Sequence, residues 1–504
     1  MKKPILLVVA AALAGCPEAI PATPRMRPPQ GALASSRLSS EKPPLDVLTV
    51  PRPAEPEWFG LYLVGKKAGW TKVQVTRERR GGRDVLVARS DTALSATVGG
   101  KSVQRVQREE RVYEAKAGGR LLTFHAEWSG DGGSRSLDGS CQPSGCRAVL
   151  SQDGTEQVKD LPADPETADQ ADGVRLAAAR RTTIRGPQLD LDKLRIRTVE
   201  DVFLRREKIA GAGVETEVSV VQESEVGDRL ATEYKLADDG RVVEIKLGDA
   251  IVAKPEGEAT AKRLDKVDLF ALSRVPVPRE LSHAVPLTIV YRVEGLPRTF
   301  QKGDGRQSFA AGGGAVTVVT VRARVPAAAD PGRDTPRSRV QASPEDLEPT
   351  PQIDSDDPEI RALAKEVAGD VPGTYAAALK LSEHVYRRLE KAYGASQDRA
   401  SDVLRTGKGD CTEHSVLLLA LARALGIPAR GVHGLVYARY DDGVPALYWH
   451  AWVEVKSAGE WIPLDPTFGQ PVADATHVAL GTGAQVDTVG LLGALRVVGV
   501  DVKP

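Results

Sequence analysis

A chain of 504 residues exceeds what one hydrophobic core usually organises, so more than one domain is expected. Lysine plus arginine and aspartate plus glutamate each number 68, and a formal net charge of zero leaves no chain-wide basic field, which argues against nucleic acid as a partner. Apolar residues make up 41 %, enough for globular cores, while 48 glycines and 34 prolines call for many turns between short strands.

Lys2 and Lys3 precede an apolar stretch at 5–14 that is too short to cross a bilayer, so residues 1–16 read as an export signal. The signal ends in Leu13-Ala14-Gly15-Cys16, which resembles the lipobox of bacterial lipoproteins. The resemblance implies cleavage before Cys16, lipidation of its thiol and, with Pro17 in place of the Asp of retained inner-membrane lipoproteins, an outer-membrane anchor. No later segment offers the roughly eighteen uninterrupted apolar residues of a membrane helix, so the rest is expected in the periplasm or at the cell surface. Residues 17–56, rich in Pro, Ala, Ser and Arg and without periodicity, read as a tether.

At Trp58 the pattern changes. Residues 58–64 and 69–75 alternate about the Gly65-Lys66-Lys67 turn as a β-hairpin does, and further strands are expected at 84–88, 103–115 and 121–128. Residues 57–155 are therefore expected to form an antiparallel β domain. Within it Cys141 and Cys146 flank Gln142-Pro143-Ser144-Gly145, a turn-forming spacing that favours a disulfide over two free thiols in an oxidising compartment. A short helix is expected at 174–179. A second β-rich domain is expected at 195–326, with strands at 214–221, 231–236, 242–247, 287–293 and 315–325. Residues 327–350, with their prolines and charges, read as a linker.

After the linker the hydrophobic period changes from two to 3.6. Asp357 is placed to cap a helix with Pro358 at its first position and Ile360, Leu363, Ala364 and Val367 on one face. A second helix is expected to carry the stripe Tyr375, Leu379, Ser382, Tyr386, Leu389 and Tyr393 before Gly394, and a third, short one spans 401–405. Gly407-Lys408-Gly409-Asp410-Cys411-Thr412-Glu413-His414 then opens a run to Leu425 that is apolar on nearly every face apart from Arg423, which predicts a buried helix with Cys411 at its N-terminus. A thiol there feels the positive end of the macrodipole, which favours the thiolate, and the free N–H groups of that end suit an oxyanion. Gly407 and Gly409 are expected to let substrate backbone approach. Strands at 430–440 and 447–455 and one ending near 467 place His450 and Asp465 after the helix, the nucleophile, base and orienter of thiol catalysis.

Gly409-Asp410-Cys411-Thr412-Glu413-His414, His450-Ala451-Trp452 and Asp465-Pro466-Thr467 resemble the three motifs of the transglutaminase-like superfamily. The resemblance covers residues 351–475. It implies an α+β, papain-like core in which the cysteine helix packs on an antiparallel sheet carrying His450 and Asp465, preceded by two β-rich domains and followed by a C-terminal β extension at 476–504. It also implies acyl transfer through a thioester on Cys411, resolved by water or an amine, with no cofactor; the expected envelope tether favours hydrolysis of a peptide or amide over cross-linking, with a protein or peptide of the cell envelope as substrate. The alternative is an envelope scaffold that retains the core without its chemistry. A metal centre using Cys411, His414, His433 and His450 leaves Asp465-Pro466-Thr467 unexplained, and the cluster Asp354-Ser355-Asp356-Asp357 reads as a helix entrance before it reads as a calcium site. His414 and Glu413 belong to the first turn of the cysteine helix. His125, His283, His384 and His477 have no partners at motif spacing and read as ordinary histidines. No side-chain oxyanion donor is assigned; Gln397 lies in another context. The anchor expectation has a direct check: Cys16→Ser abolishes incorporation of radiolabelled fatty acid, and label that survives the change excludes Cys16 as the lipid site.

Overall fold

A computed structural model describes residues 46–503, apart from 99–100, 131–132, 153–154, 193, 212–213, 227–230, 249, 286, 351, 393–398, 441 and 483–490. The expected signal, Cys16, residues 17–45 of the expected tether, and Tyr393, Gly394 and Gln397 lie outside the described residues.

Strands β1–β8, between Glu57 and Leu161, and β9–β14, between Thr183 and Pro255, form one antiparallel sheet of 14 strands rather than the expected pair of domains. The chain builds each half as a meander, so neighbours in sequence pair in space. β1 (Glu57–Leu63) then pairs on its other side with β14 (Ile251–Pro255), placing the first and last strands at the middle and β8 (Thr155–Leu161) and β9 (Thr183–Asp190) at the edges. Local alternation fixes which residues of a strand are buried, as in Ala231–Ala237, but it carries no information about this closing pair. Helix α1 (Gly173–Arg180) joins the halves and buries Val174, Leu176 and Ala177 against Phe59, Tyr234 and Ile245. Its Arg175 donates to Gly240 O at 2.6 Å, to Asp172 Oδ1 at 2.9 Å and to the Glu57 carboxylate. The last part of the expected tether is docked too, with Val47 and Val50 buried. Cys141 and Cys146 face each other across a hairpin and are bonded.

Helix α2 (Leu269–Ser273) and β15 (Val275–Pro276) lead out of the large sheet, and β15 pairs with a strand of the C-terminal core. β16 (Leu287–Glu294), β17 (Gln307–Ala311) and β18 (Val316–Ala323) do not join the large sheet. They form a sheet of their own, in the order β17-β18-β16, extended by the last strand of the chain. The second β domain expected at 195–326 is therefore divided between two sheets, because the strands up to Pro255 pair with one another and, through β14, with β1.

The core contains α3 (Pro358–Ala368), α4 (Thr374–Arg388), the parallel pair β19 (Glu390–Lys391) and β20 (Lys408–Gly409), α5 (Ala400–Thr406) and α6 (Cys411–Ala424). These are followed by β21 (Ala429–Ala438), β22 (Ala446–Ser457), β23 (Glu460–Leu464), β24 (His477–Thr482) and β25 (Arg496–Lys503). The core sheet runs β15-β22-β21-β24, with β23 also on β22. β25 pairs with β16, so the expected C-terminal extension contributes to two different sheets. Asp357 caps α3 through Glu359 N at 2.8 Å and Ile360 N at 3.3 Å, while Asp354 binds Ser401 N at 3.1 Å and Ser401 Oγ at 2.6 Å, so the acidic cluster serves two helix entrances. In α4 the buried face is Tyr375, Ala377, Ala378, Leu381, Ser382 and Val385, and Tyr386 is exposed. Of the stripe read from the sequence, Tyr375, Ser382 and Leu389 are buried and Leu379 packs against the core, whereas Tyr386 is not part of the buried face.

Leu417, Leu418, Leu421, Val453, Val455 and Leu464 belong to one apolar cluster with α3, α4 and α5. A second cluster joins Ile289, Tyr291, Val319 and Val321 to Leu435, Tyr437, Leu447, Val478 and Leu480, so the small sheet buttresses the core. Residues 327–350 are held against the core rather than spanning a gap. Asp334 takes the N–H groups of Tyr375 at 3.0 Å and Ala376 at 3.1 Å and the hydroxyl of Ser457 at 2.7 Å. It supplies the capping carboxylate that Gly373, at the N-cap of α4, lacks. Asp334→Ala is expected to destabilise the core by about 1 to 2 kcal/mol in chemical denaturation, and an unchanged midpoint would show that water caps α4 equally well.

Candidate active site

The first turn of α6 is built as a capping box. Asp410 Oδ1 accepts from Thr412 N at 2.9 Å, and Glu413 Oε2 accepts from Asp410 N at 2.8 Å. This sets Cys411 as the first helical residue, partly exposed at the helix mouth. The two glycines before it have structural uses. Gly407 ends α5 with φ 64°, a left-handed conformation that favours glycine, and a Cβ on Gly409 would lie 2.2 Å from the Glu413 Cβ. Gly409 thus makes room for the capping glutamate, and the expected approach of substrate backbone there is not supported. His414 Nδ1 donates to Asp410 O at 2.7 Å, and its Nε2 is buried. Arg423, the lone charge of the run, closes the other end of the helix by donating to Ala429 O and Glu348 O.

His450 lies on β22 and is 8 % exposed, and Asp465 follows β23 and is fully buried. His450 Nε2 donates to Asp465 Oδ2 at 2.8 Å. That bond places the proton on Nε2 of the neutral ring and leaves Nδ1 bare. The other carboxylate oxygen, Oδ1, accepts from Thr467 N at 2.7 Å and Phe468 N at 3.0 Å, so the Asp-Pro-Thr turn orients Asp465 through its own backbone. Trp452 is fully buried with its ring stacked 6.1 Å from His450, and the Phe468 ring is 5.1 Å from it on a tilt. Trp449 turns away to donate to Ser273 O at 3.0 Å.

Cys411 meets this pair through the backbone: the Ala451 N–H, one residue past His450, points at the sulfur. Among the described residues no hydrogen bond joins the sulfur to His450. Burial pushes the Cys411 thiol well above its usual range, the carboxylates of Asp410, Glu413 and Asp465 push the same way, and the Ala451 N–H opposes them. Burial and these charges thus oppose the thiolate that the helix terminus favours. A helix end carries about half a charge, and here the capping carboxylate that creates that end sits beside the sulfur. Glu413 is itself raised, by burial and by Asp410.

The structure adds a residue that no spacing rule finds. His477, buried at the start of β24, donates from Nε2 to Asp465 Oδ2 at 2.9 Å, so one carboxylate oxygen serves two imidazoles. Burial acts to raise Asp465, yet His450 and His477 together hold it far below the usual carboxylate range. Of the other histidines expected to be ordinary, His283 contacts Asp474 at 2.9 Å and His125 contacts Asp138 at 2.8 Å. The only sequence signal for His477 is Asp474 three residues earlier; strand order does the rest. One ligand atom each of His450, Asp465 and His477 lie within 4.8 Å of one another, near enough to share a cation. Their N to O separations of 2.8 and 2.9 Å are nevertheless hydrogen-bond lengths, with the lone pairs already engaged. Cys411, His414 and His433 form no such group with His450 among the described residues, and burial drops His433 to about 4, which keeps it neutral.

Residues 361–466 match the model of the transglutaminase-like superfamily, a span that holds Cys411, His450 and Asp465 and stops short of His477. Among solved structures, the chain is similar to a proposed cysteine protease from Cytophaga hutchinsonii, with 17 % identity, 44 % of this chain and 89 % of that one covered, and a TM-score of 0.30. It is also similar to a β-barrel-like protein of a domain of unknown function from Brucella abortus, with 14 % identity, 40 % and 95 % covered, and a TM-score of 0.30. A third, a proposed protease from Parabacteroides distasonis, has 12 % identity, 73 % and 65 % covered, and a TM-score of 0.18. No match is found among curated proteins. The protein thus combines a transglutaminase-like core with a large antiparallel β-rich region.

Alkylation of Cys411 by iodoacetamide, followed against pH in the folded protein, is expected to show a midpoint above the free-cysteine value of about 8.5. Asp410→Asn keeps a capping oxygen, removes the charge and should lower the midpoint. A wild-type midpoint below the free value overturns this account of the thiol.

Proposed function

We propose that the C-terminal core is a papain-like cysteine acyl-transfer enzyme with Cys411 as nucleophile, His450 as base and Asp465 as the group that orients the base. The observation that carries the proposal is the buried 2.8 Å bond from His450 Nε2 to Asp465, made one residue from the backbone N–H that meets the Cys411 sulfur. It leaves Nδ1 of His450 as the basic nitrogen. Burial favours the neutral thiol, so the reaction starts from protonated Cys411 beside His450. Cys411 gives its proton to His450 Nδ1 as the sulfur bonds to the carbonyl carbon, and the oxygen takes the negative charge. The Thr412 and Glu413 N–H groups already serve the Asp410 cap, so the oxyanion falls to the Cys411 N–H at the start of α6. Collapse breaks the C–N bond, the amine leaves with the proton from His450, and a thioester remains. Water, deprotonated by the same nitrogen, releases the acid; an amine in place of water gives a cross-link.

Hydrolysis of a peptide or amide is favoured as the outcome, with a protein or peptide of the cell envelope as substrate. Residues 1–16, with the lipobox-like Leu13-Ala14-Gly15-Cys16, support an exported protein held by lipid at the outer membrane. The raised thiol and its missing bond to His450 support a second reading, in which the core is an envelope scaffold without turnover.

The two readings separate on covalent trapping. Incubation of the protein with envelope peptides followed by an acid quench is expected to leave an acyl mass on Cys411. His450→Ala should reduce its rate of formation by about 100-fold or more, in line with the loss of a positioned base. Absence of any adduct on wild-type protein, with the thiol still alkylatable, favours the scaffold.

A further inference from the structure

His477 makes a second buried contact besides the one to Asp465. Its Nδ1 faces Asp474 Oδ1 at 3.4 Å. Carboxylates only accept, so contacts from both ring nitrogens call for a proton on each, the imidazolium form. Burial opposes that charge, and the two carboxylates outweigh it and raise the affinity of His477 for its second proton. Asp474 is held from several sides. Its Oδ1 accepts from Thr476 N at 2.9 Å and from Thr476 Oγ1 at 2.5 Å, and its Oδ2 accepts from Gln470 Nε2 at 2.9 Å and contacts His283 Nδ1 at 2.9 Å. The guanidinium of Arg306, just before β17, donates to the backbone carbonyls of Ala473 and Asp474. A continuous line of contacts therefore runs from His450 through Asp465, His477 and Asp474 to His283, whose side chain is 42 % exposed.

We infer that His477 is a positioning residue for the reaction proposed above: buried between Asp465 and Asp474, it shares the Asp465 oxygen that His450 uses and so sets how strongly that carboxylate holds the catalytic ring. The inference rests on that reading of Cys411, His450 and Asp465. A carboxylate oxygen that accepts from two N–H donors is a weaker acceptor for each of them. The Nε2 proton then stays on His450, the ring keeps its orientation, and its Nδ1 is less basic than it would be beside an unshared carboxylate. The charge on His477 acts in the same direction on the neighbouring ring, 5.7 Å away between centroids. The titratable and charged groups facing His477 are Asp465, Asp474 and His450, with Cys411 beyond Asp465, His283 and Arg306 beyond Asp474, and Glu454 beyond Arg306. Apolar surface comes from Trp452 and Phe468. A residue that merely filled this space would not move the titration of His450.

The chain has seven histidines, few enough for their imidazole signals to be followed by NMR with selectively labelled histidine and assigned by substitution. His477→Phe keeps a ring and removes both donors, and it is expected to raise the His450 midpoint by about one pH unit, a tenfold gain in proton affinity. His477→Gln, which retains a donor for Asp465, should restore part of the difference. Should His477→Phe fail to fold, Asp474→Asn carries the test, because it removes the partner charge that holds the second proton on His477 and should raise the His450 midpoint in the same direction. A folded variant of either kind in which His450 titrates as in wild type overturns the inference. The titration needs no substrate. A shifted midpoint in a protein that forms no acyl adduct would count against the proposed reaction alone, and an unshifted one in a protein that does form it would count against the role of His477 alone.

Discussion

Everything at the site is arranged around the need to keep one negative charge, that of Asp465, fully out of water. An unpaired buried carboxylate would take up a proton or unfold its surroundings. Asp465 avoids both because four N–H groups converge on it: two from its own turn, at Thr467 and Phe468, and two from the imidazoles of His450 and His477. The consequences spread outward. His477 must itself be balanced, which brings in Asp474, and Asp474 is held by His283, from the loop before β16. A segment that a sequence reading assigns to a separate domain is thereby part of the structure that supports the site.

The cysteine follows a different logic. Its helix end is well formed because Asp410 and Glu413 satisfy the first N–H groups, and those same carboxylates work against a thiolate next to them. Helix stability and thiol activation compete here, and in the resting state stability wins. A thiol that stays protonated resists adventitious oxidation and alkylation.

The architecture around the core shows how far short-range chemistry reaches. Alternating strands, the hairpin turns and the pairing of Cys141 with Cys146 are local, and each meander forms from neighbours in sequence. The closing pair of β1 with β14 joins segments almost two hundred positions apart, and the pairing of β25 with β16 spans a similar distance. Such pairs depend on which edges remain open once the local hairpins have formed, so a division of the β-rich region into two domains was a reasonable reading of the pattern and not the one adopted.

Sequence alone identified Cys411 as the start of a buried helix, His450 on one following strand and Asp465 at the end of another, because those features depend on local periodicity, capping and turn residues and on the spacing of three short motifs. It also identified the cap at Asp357 and Pro358 as the first helical residue. Only the tertiary structure decided that Gly409 makes room for Glu413, that the thiol is raised, that residues 327–350 cap and brace the core, and above all that His477 shares Asp465 with His450. The physical reason is common to these cases. Each depends on the distance between groups on different elements and on how much water reaches them, and neither quantity is written in the order of residues along one strand or helix.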